Sequence, residues 1–110
     1  MKSVFPRFIK RLPKADISLY GATVFLSQAK DHQIVFMEFE KDVELPKHSH
    51  GAQWEIVVEG KVDLIMNEKT HTYTKGDYFF IQKDVEHSGR IHAGYTSIAF
   101  FDQKDRYIEK

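Results

Sequence analysis

The chain has 110 residues, of which 42% are hydrophobic and 14% aromatic, and its 16 Lys plus Arg are matched by 16 Asp plus Glu. That length holds one domain with one modest core, and a formal net charge of zero gives no electrostatic case for nucleic acid or an anionic membrane as partner. The absence of cysteine removes disulfides, thiolate chemistry and cysteine metal sites. The N-terminus, Met-Lys-Ser-Val-Phe-Pro, has no apolar run long enough for a signal peptide or a membrane span, so a soluble, cytoplasmic protein is expected.

Residues 1–15 read as an N-terminal arm containing Pro6 and Pro13. Phe5, Phe8, Ile9 and Leu12 fall at helical spacing, which predicts a short amphipathic turn laid on the body of the domain or on a partner subunit. Residues 16–110 read as one β-domain. Ala22 to Gln28 and Gln33 to Phe39 are rich in β-branched and aromatic residues and are joined by a polar turn. Val43 to Lys47 leads to His48. Gln53 to Glu59 ends at Gly60, where a bend or bulge is expected before Lys61 to Met66. Asn67-Glu68 makes a tight turn, and Thr70 to Thr74 runs into a second turn at Gly76-Asp77. Asp77 to Ile81, Val85 to Ser88 and His92 to Phe101 complete the series. Many short strands with turn signals between them imply a β-sandwich or barrel.

His48 and His50 are one residue apart, so both rings face the same side of an extended strand. Neutral imidazole is the commonest protein ligand for a transition metal. A pair needs further ligands from other strands, and His87 supplies a third candidate. Gln53 and Glu55 share one face of the strand that follows. His32, His71 and His92 read as surface or satisfied core histidines. Trp54 should point away from Gln53, into packing or a subunit contact. Phe36, Phe79, Phe80 and Phe100 read as core, and Asp102 to Arg106 as a solvated tail with local ion pairs.

Together these residues resemble a small single-domain cupin, over roughly residues 34 to 101. His48, His50 and Gly60 match the first motif of that family, G-x5-H-x-H-x3-4-E-x6-G; Gly76 and His87 match the second, G-x5-P-x-G-x2-H-x3-N. The segment His48-Ser49-His50-Gly51-Ala52-Gln53-Trp54 and the tail Phe100 to Tyr107 are similar to a bacterial subgroup with a His-Ser-His-x-x-Gln-Trp signature. The resemblance implies an all-β, RmlC-like fold: a double-stranded β-helix, or jelly-roll barrel, with a short N-terminal arm. It also implies a homodimer, and one divalent transition metal ion per chain (Mn, Fe, Ni or Zn). Asp42, Gln82, Asp84 and Ile91 depart from the motifs. The fourth ligand is read in two ways. Counting back from Gly60 gives Gln53; counting forward from His50 gives Glu55. The Gly60 bend and the subgroup signature favour Gln53. Glu55 is then an alternative ligand, a catalytic base, or a partner that orients a histidine.

Three imidazoles and a carboxamide are all neutral, so the charge of a bound ion would attract an anionic ligand. Small cupins include dioxygenases, isomerases, decarboxylases, sugar-acid enzymes and sensors, and two readings stand. One is a metalloenzyme acting on a small anionic or oxygen-rich substrate at a mononuclear site of three histidines and one glutamine. The other is a non-catalytic cupin that binds a metal or small ligand, as a sensor or store. Small cupins that open unsaturated uronates resemble this chain in their histidines and glutamine. They also carry an Asp-x-Phe segment followed by Pro and Arg, where this chain has Ala99 and Asp105, so ring opening of uronates is not favoured.

Overall fold

The computed structural model describes residues 2–110. Among them, one short helix, Arg7–Lys10 (α1), precedes nine strands: Ala22–Gln28 (β1), Gln33–Phe39 (β2), Val43–His48 (β3), Gln53–Glu59 (β4), Lys61–Met66 (β5), Lys69–Thr74 (β6), Tyr78–Ile81 (β7), His87–Ile91 (β8) and Thr96–Phe101 (β9). They make two antiparallel sheets, in the order β1-β2-β9-β4-β7 and β3-β8-β5-β6. This is the jelly-roll barrel that the sequence implies.

The alternation of side chains sets which face is inside. Along β2, Gln33, Val35, Met37 and Phe39 are buried while the residues between them are half-exposed. Along β4, Gln53, Glu55 and Val57 point inward, and Trp54 faces out. The two inner faces meet in one core that includes Leu26, Val35, Val57, Leu64, Tyr95, Ala99 and Phe101. Gly60 carries the chain from the first sheet to the second between β4 and β5. Its φ of +83° is strained for any residue with a side chain, and a Cβ there would lie 2.7 Å from Tyr95 Cα.

Three expectations need correction. The strand predicted at Val85 to Ser88 runs instead from His87 to Ile91. The single run predicted from His92 to Phe101 is broken by a turn: Tyr95 N donates to His92 O at 3.1 Å, and Gly94 has φ +92°. Asp42, in the place of the motif glycine, holds this turn by accepting from Ala93 N at 2.8 Å. Finally, Phe80 and Phe100, predicted as core, face outward and are 55% and 38% exposed. Each belongs to a Phe doublet or neighbours an inward residue, so strand alternation forces one member outside.

The N-terminal segment lies on its own barrel. Phe5 is buried, edge-on to Phe25 and Phe36. Lys14 bridges to Phe25, and Ala15 to Glu109. No helix among the described residues is long and apolar enough to cross a membrane.

Candidate metal centre

The three predicted histidines converge. His48 ends β3, His50 lies two residues beyond that strand, and His87 opens β8 as the register partner of His48. Their ring centroids are 5.3 Å (His48–His50), 4.2 Å (His48–His87) and 4.8 Å (His50–His87) apart. One potential ligand atom from each residue lies within 4.8 Å of the others. A break in the β3–β8 register between Leu45 and His48, at Pro46 and Lys47, precedes the first ring. Pro46 cannot donate to the ladder, so a local irregularity there is physically expected.

Each ring is held by its own backbone. Nδ1 of His48 lies 2.8 Å from Pro46 O, Nδ1 of His50 2.7 Å from Gly51 O, and Nδ1 of His87 2.9 Å from Val85 O. A carbonyl only accepts, so in a neutral ring each Nδ1 carries the hydrogen and Nε2 keeps the lone pair. All three residues are thereby set in the tautomer that ligates through Nε2. Burial favours the neutral form as well. It pushes the pKa of His50 down to about 4, against the opposing pull of the Gly51 carbonyl; the charges of Arg106, His87 and His48 add to the depression. His87 is lowered chiefly by burial too, with smaller contributions from His48 and Arg106.

Gln53 and Glu55 lie side by side on β4, and both are buried. Gln53 Nε2 donates to Glu55 Oε1 at 2.6 Å, and the Tyr95 hydroxyl donates to Glu55 Oε2. Both carboxylate oxygens are thus engaged by the protein, whereas Gln53 Oε1 accepts no hydrogen bond among the described residues. Burial raises the Glu55 pKa, while the Tyr95 hydrogen bond, the nearby Ser97 hydroxyl and the Gln53 hydrogen bond oppose that rise. Burial likewise raises Tyr95, reinforced by the neighbouring Glu55 charge. The residue paired with Glu55 across the β4–β9 ladder is Ala99. A carboxylate therefore does stand beside position 99, carried by the adjacent strand.

These groups open on a cavity of about 410 Å³ between the sheets, lined also by Phe79, Tyr95, Phe101 and Arg106. That size suits a small organic ligand. Two of its residues escaped sequence reasoning. Tyr95 sits directly after the unpredicted turn. Arg106 belongs to the segment expected to be a solvated tail, yet it faces the cavity. The other histidines lie elsewhere: His32 stacks on Phe100 and pairs with Asp31, His92 pairs with Asp63 at 2.7 Å, and His71 is exposed on β6.

Residues 35–98 match the Cupin_2 family model, described as a cupin domain. That is more than half of the chain, and the chain belongs to this family. No curated protein matches it. Among solved structures, an RmlC-like cupin from Shewanella frigidimarina is 25% identical with a TM-score of 0.76, over 96% of this chain and 94% of that one. KdgF from a Halomonas species is 18% identical, TM-score 0.72, over 88% of this chain and 92% of that one. A salicylate 1,2-dioxygenase from Pseudoaminobacter salicylatoxidans, solved as adducts with gentisate, is 20% identical, TM-score 0.67, over 80% of this chain but only 26% of its own. The last two likenesses are of fold.

Proposed function

We propose that this cupin holds one divalent transition metal ion through His48, His50, His87 and Gln53, and acts as a metalloenzyme on a small anionic or oxygen-rich molecule taken into the cavity. The observation that carries the reading is the set of three histidines gathered around one point, each with Nδ1 tied to a carbonyl and Nε2 left for a ligand. Imidazole nitrogens with one amide oxygen fit Mn, Fe, Ni or Zn better than Ca or Mg. Such an ion supplies Lewis acidity to a bound ligand. Glu55 takes a different part: by accepting from Gln53 Nε2 it fixes which end of the amide is available as an acceptor. Tyr95 in turn holds Glu55. The fold shared with a dioxygenase solved with gentisate, itself a small oxygen-rich anion, supports the ligand class.

Metal analysis of the reconstituted protein tests this. One ion per chain is expected, with loss of the ion in His50→Ala and retention of the fold. A protein that takes up none of the four metals eliminates the site.

One observation favours a non-catalytic binder instead. Both oxygens of Glu55, the carboxylate beside the cluster, are engaged, and position 99 has no acid. On that reading the metal-loaded protein binds the same class of molecule and returns it unchanged, which mass spectrometry after incubation reads directly.

The homodimer is part of the same proposal. Its supporting feature is the outer face of the first sheet, where Phe80, Trp54 and Phe100 stand in one register row across β7, β4 and β9. All three are at least 38% exposed. An exposed aromatic row of this kind is suited to packing on its two-fold copy.

A further inference from the structure

We propose that Arg106 is the anion anchor of the cavity, receiving the carboxylate of a small hydroxy or oxo acid whose remaining oxygen reaches the histidine cluster. This rests on the metal reading above and narrows its ligand class.

Arg106 lines the cavity together with His48, His50 and His87. Its guanidinium lies 4.7 Å from the Tyr107 ring centroid and 5.8 Å from that of Phe101. The same Phe101 ring meets His50 edge-on at 5.3 Å, so one aromatic side chain neighbours both the cation and the cluster.

The arginine has no acceptor of its own. Among the described residues it makes no ion pair and no hydrogen bond, and its Nε is shut away from solvent without a partner. Arg90, on the barrel surface, shows the contrast: its two terminal nitrogens bond Asp42 and Glu44. Asp105, the acid next to Arg106 in the chain, is instead bonded by Gln103 Nε2 at 3.0 Å. A guanidinium presents its donors in a rigid fork that matches a carboxylate, and an unsatisfied one favours such a ligand.

The placement is built rather than incidental. Gln33, fully buried on β2, clamps the next residue from both sides: its Oε1 accepts from Tyr107 N at 3.0 Å, and its Nε2 donates to Tyr107 O at 2.8 Å. Asp16 N donates to Ile108 O at 2.6 Å and Lys110 N to Lys14 O at 2.8 Å, which ties the segment to the end of the arm and the residue after it. Gly51 N, beside His50, donates to Gln103 Oε1 at 2.7 Å. The tail that bears Arg106 is therefore fastened to the loop that bears His50. The cavity wall also carries Asp16, Ser18 and the Gln53–Glu55–Tyr95 network, but both oxygens of Glu55 are already engaged within that network. The two poles left with free valence, the histidine cluster and the guanidinium, call for a ligand that is anionic at one end and has an oxygen donor close by.

The experiment uses zinc-loaded protein, with zinc content measured first, and glycolate as the probe against its uncharged amide, glycolamide. Calorimetry should show glycolate binding that weakens about tenfold or more in Arg106→Gln and less in Arg106→Lys. Zinc stoichiometry should stay unchanged and glycolamide should not discriminate between the variants. In wild-type protein the Arg106 Nε–H resonance should move as glycolate is added. Equal glycolate affinity in wild type and both variants, with zinc retained, overturns the proposal, and so does absence of glycolate binding by the zinc-loaded protein. If the wild type retains no zinc, the metal reading falls by itself. The Arg106 resonance in metal-free protein then decides the anchor: a saturable shift supports it, and no shift refutes it.

Discussion

Replacing Tyr95 by Phe isolates one hydrogen bond at the base of the cavity. Tyr95 is 0% exposed and its hydroxyl is held by Glu55 Oε2, itself on a residue only 4% exposed. Phe fills nearly the same volume, so the cavity contribution that dominates most core truncations is absent. What is lost is a donor to a buried carboxyl group. Hydrogen bonds to charged or buried acceptors are worth roughly 1.5–3 kcal/mol, so a loss of about 2 kcal/mol is expected. The Ser97 hydroxyl is buried nearby without a partner of its own. If it rotates onto the vacated oxygen, the loss falls to about 1 kcal/mol. Urea unfolding of the metal-free protein at neutral pH measures this directly, and a loss of about 2 kcal/mol should lower Tm by roughly 8 °C. Adding Ser97→Ala to Tyr95→Phe shows whether Ser97 compensates. Combining Tyr95→Phe with Glu55→Gln should give a coupling energy of about 1 kcal/mol or more. A single variant within about 0.5 kcal/mol of wild type, with zero coupling to Glu55, refutes the view that this pair is a structural support of the site.

Stability of the metal-free protein should depend on pH through His50. With a folded pKa of about 4 against 6.5 for the free side chain, the folded state binds fewer protons between these values. Unfolding free energy is then full above about pH 6.5 and declines as pH falls to 4, by about 1–2 kcal/mol once solvent screening of this half-buried ring is allowed for. Arg106, His87 and His48 surround the ring and act in the same direction. His50→Gln should flatten that slope in denaturant titrations; an unchanged slope contradicts the assignment. Gln53→Ala should weaken metal retention against a chelator more than Glu55→Ala does, and the reverse order would move the fourth ligand to Glu55. Gly60→Ala should cost about 3 kcal/mol, from the positive φ and the backbone of Tyr95 and Gly94 within 2.9 Å of the new methyl. Gly76→Ala, with φ +89° and open space around it, should cost only about 1 kcal/mol, and equal losses in thermal unfolding would refute the steric argument. Sedimentation at micromolar concentration should show a dimer that Trp54→Glu converts to monomer; a wild-type monomer removes the dimer proposal.

What could be read from the residues alone follows their periodicity. The strict alternation of β2 and the Gly60 break placed most strand bounds within a residue or two. The spacing from Gly76 to His87 brought the third histidine to the pair. Parity was legible but not fully used. Residues 95, 97, 99 and 101 are all buried, so carrying the alternation of β9 back by one step puts Tyr95 inside with Glu55 as a neighbour. The turn at Ala93-Gly94 hid this, because the apolar run around it looked continuous. Phe80 and Phe100 show the opposite limit. Alternation requires them to face away from Phe79, Ile81 and Phe101, yet composition alone reads every Phe as core.

Arg106 lay beyond either kind of signal. No period runs through residues 102–108, and the contacts that place it are made by Gln33 on β2 and Phe101 on β9, the first more than seventy residues away in the chain. Such a position is set by closure of the barrel, not by any local preference. A buried, uncharged Gln33 turning both ends of its side-chain amide to one backbone residue is the single trace of that closure within β2. The same logic explains why an anionic ligand could be expected from the sequence, whereas the narrower proposal of a hydroxy or oxo acid needed the fold. Three histidines at this spacing could hold an ion, but an ion accepts many ligands. What restricts the choice is a second charge at fixed separation, and that separation exists only once the C-terminal segment is fastened to the barrel by Gln33, Asp16 and Gly51. Cutting that strap with Gln33→Leu should therefore reduce glycolate affinity while zinc remains bound, separating the anchor from the metal in a variant that alters neither.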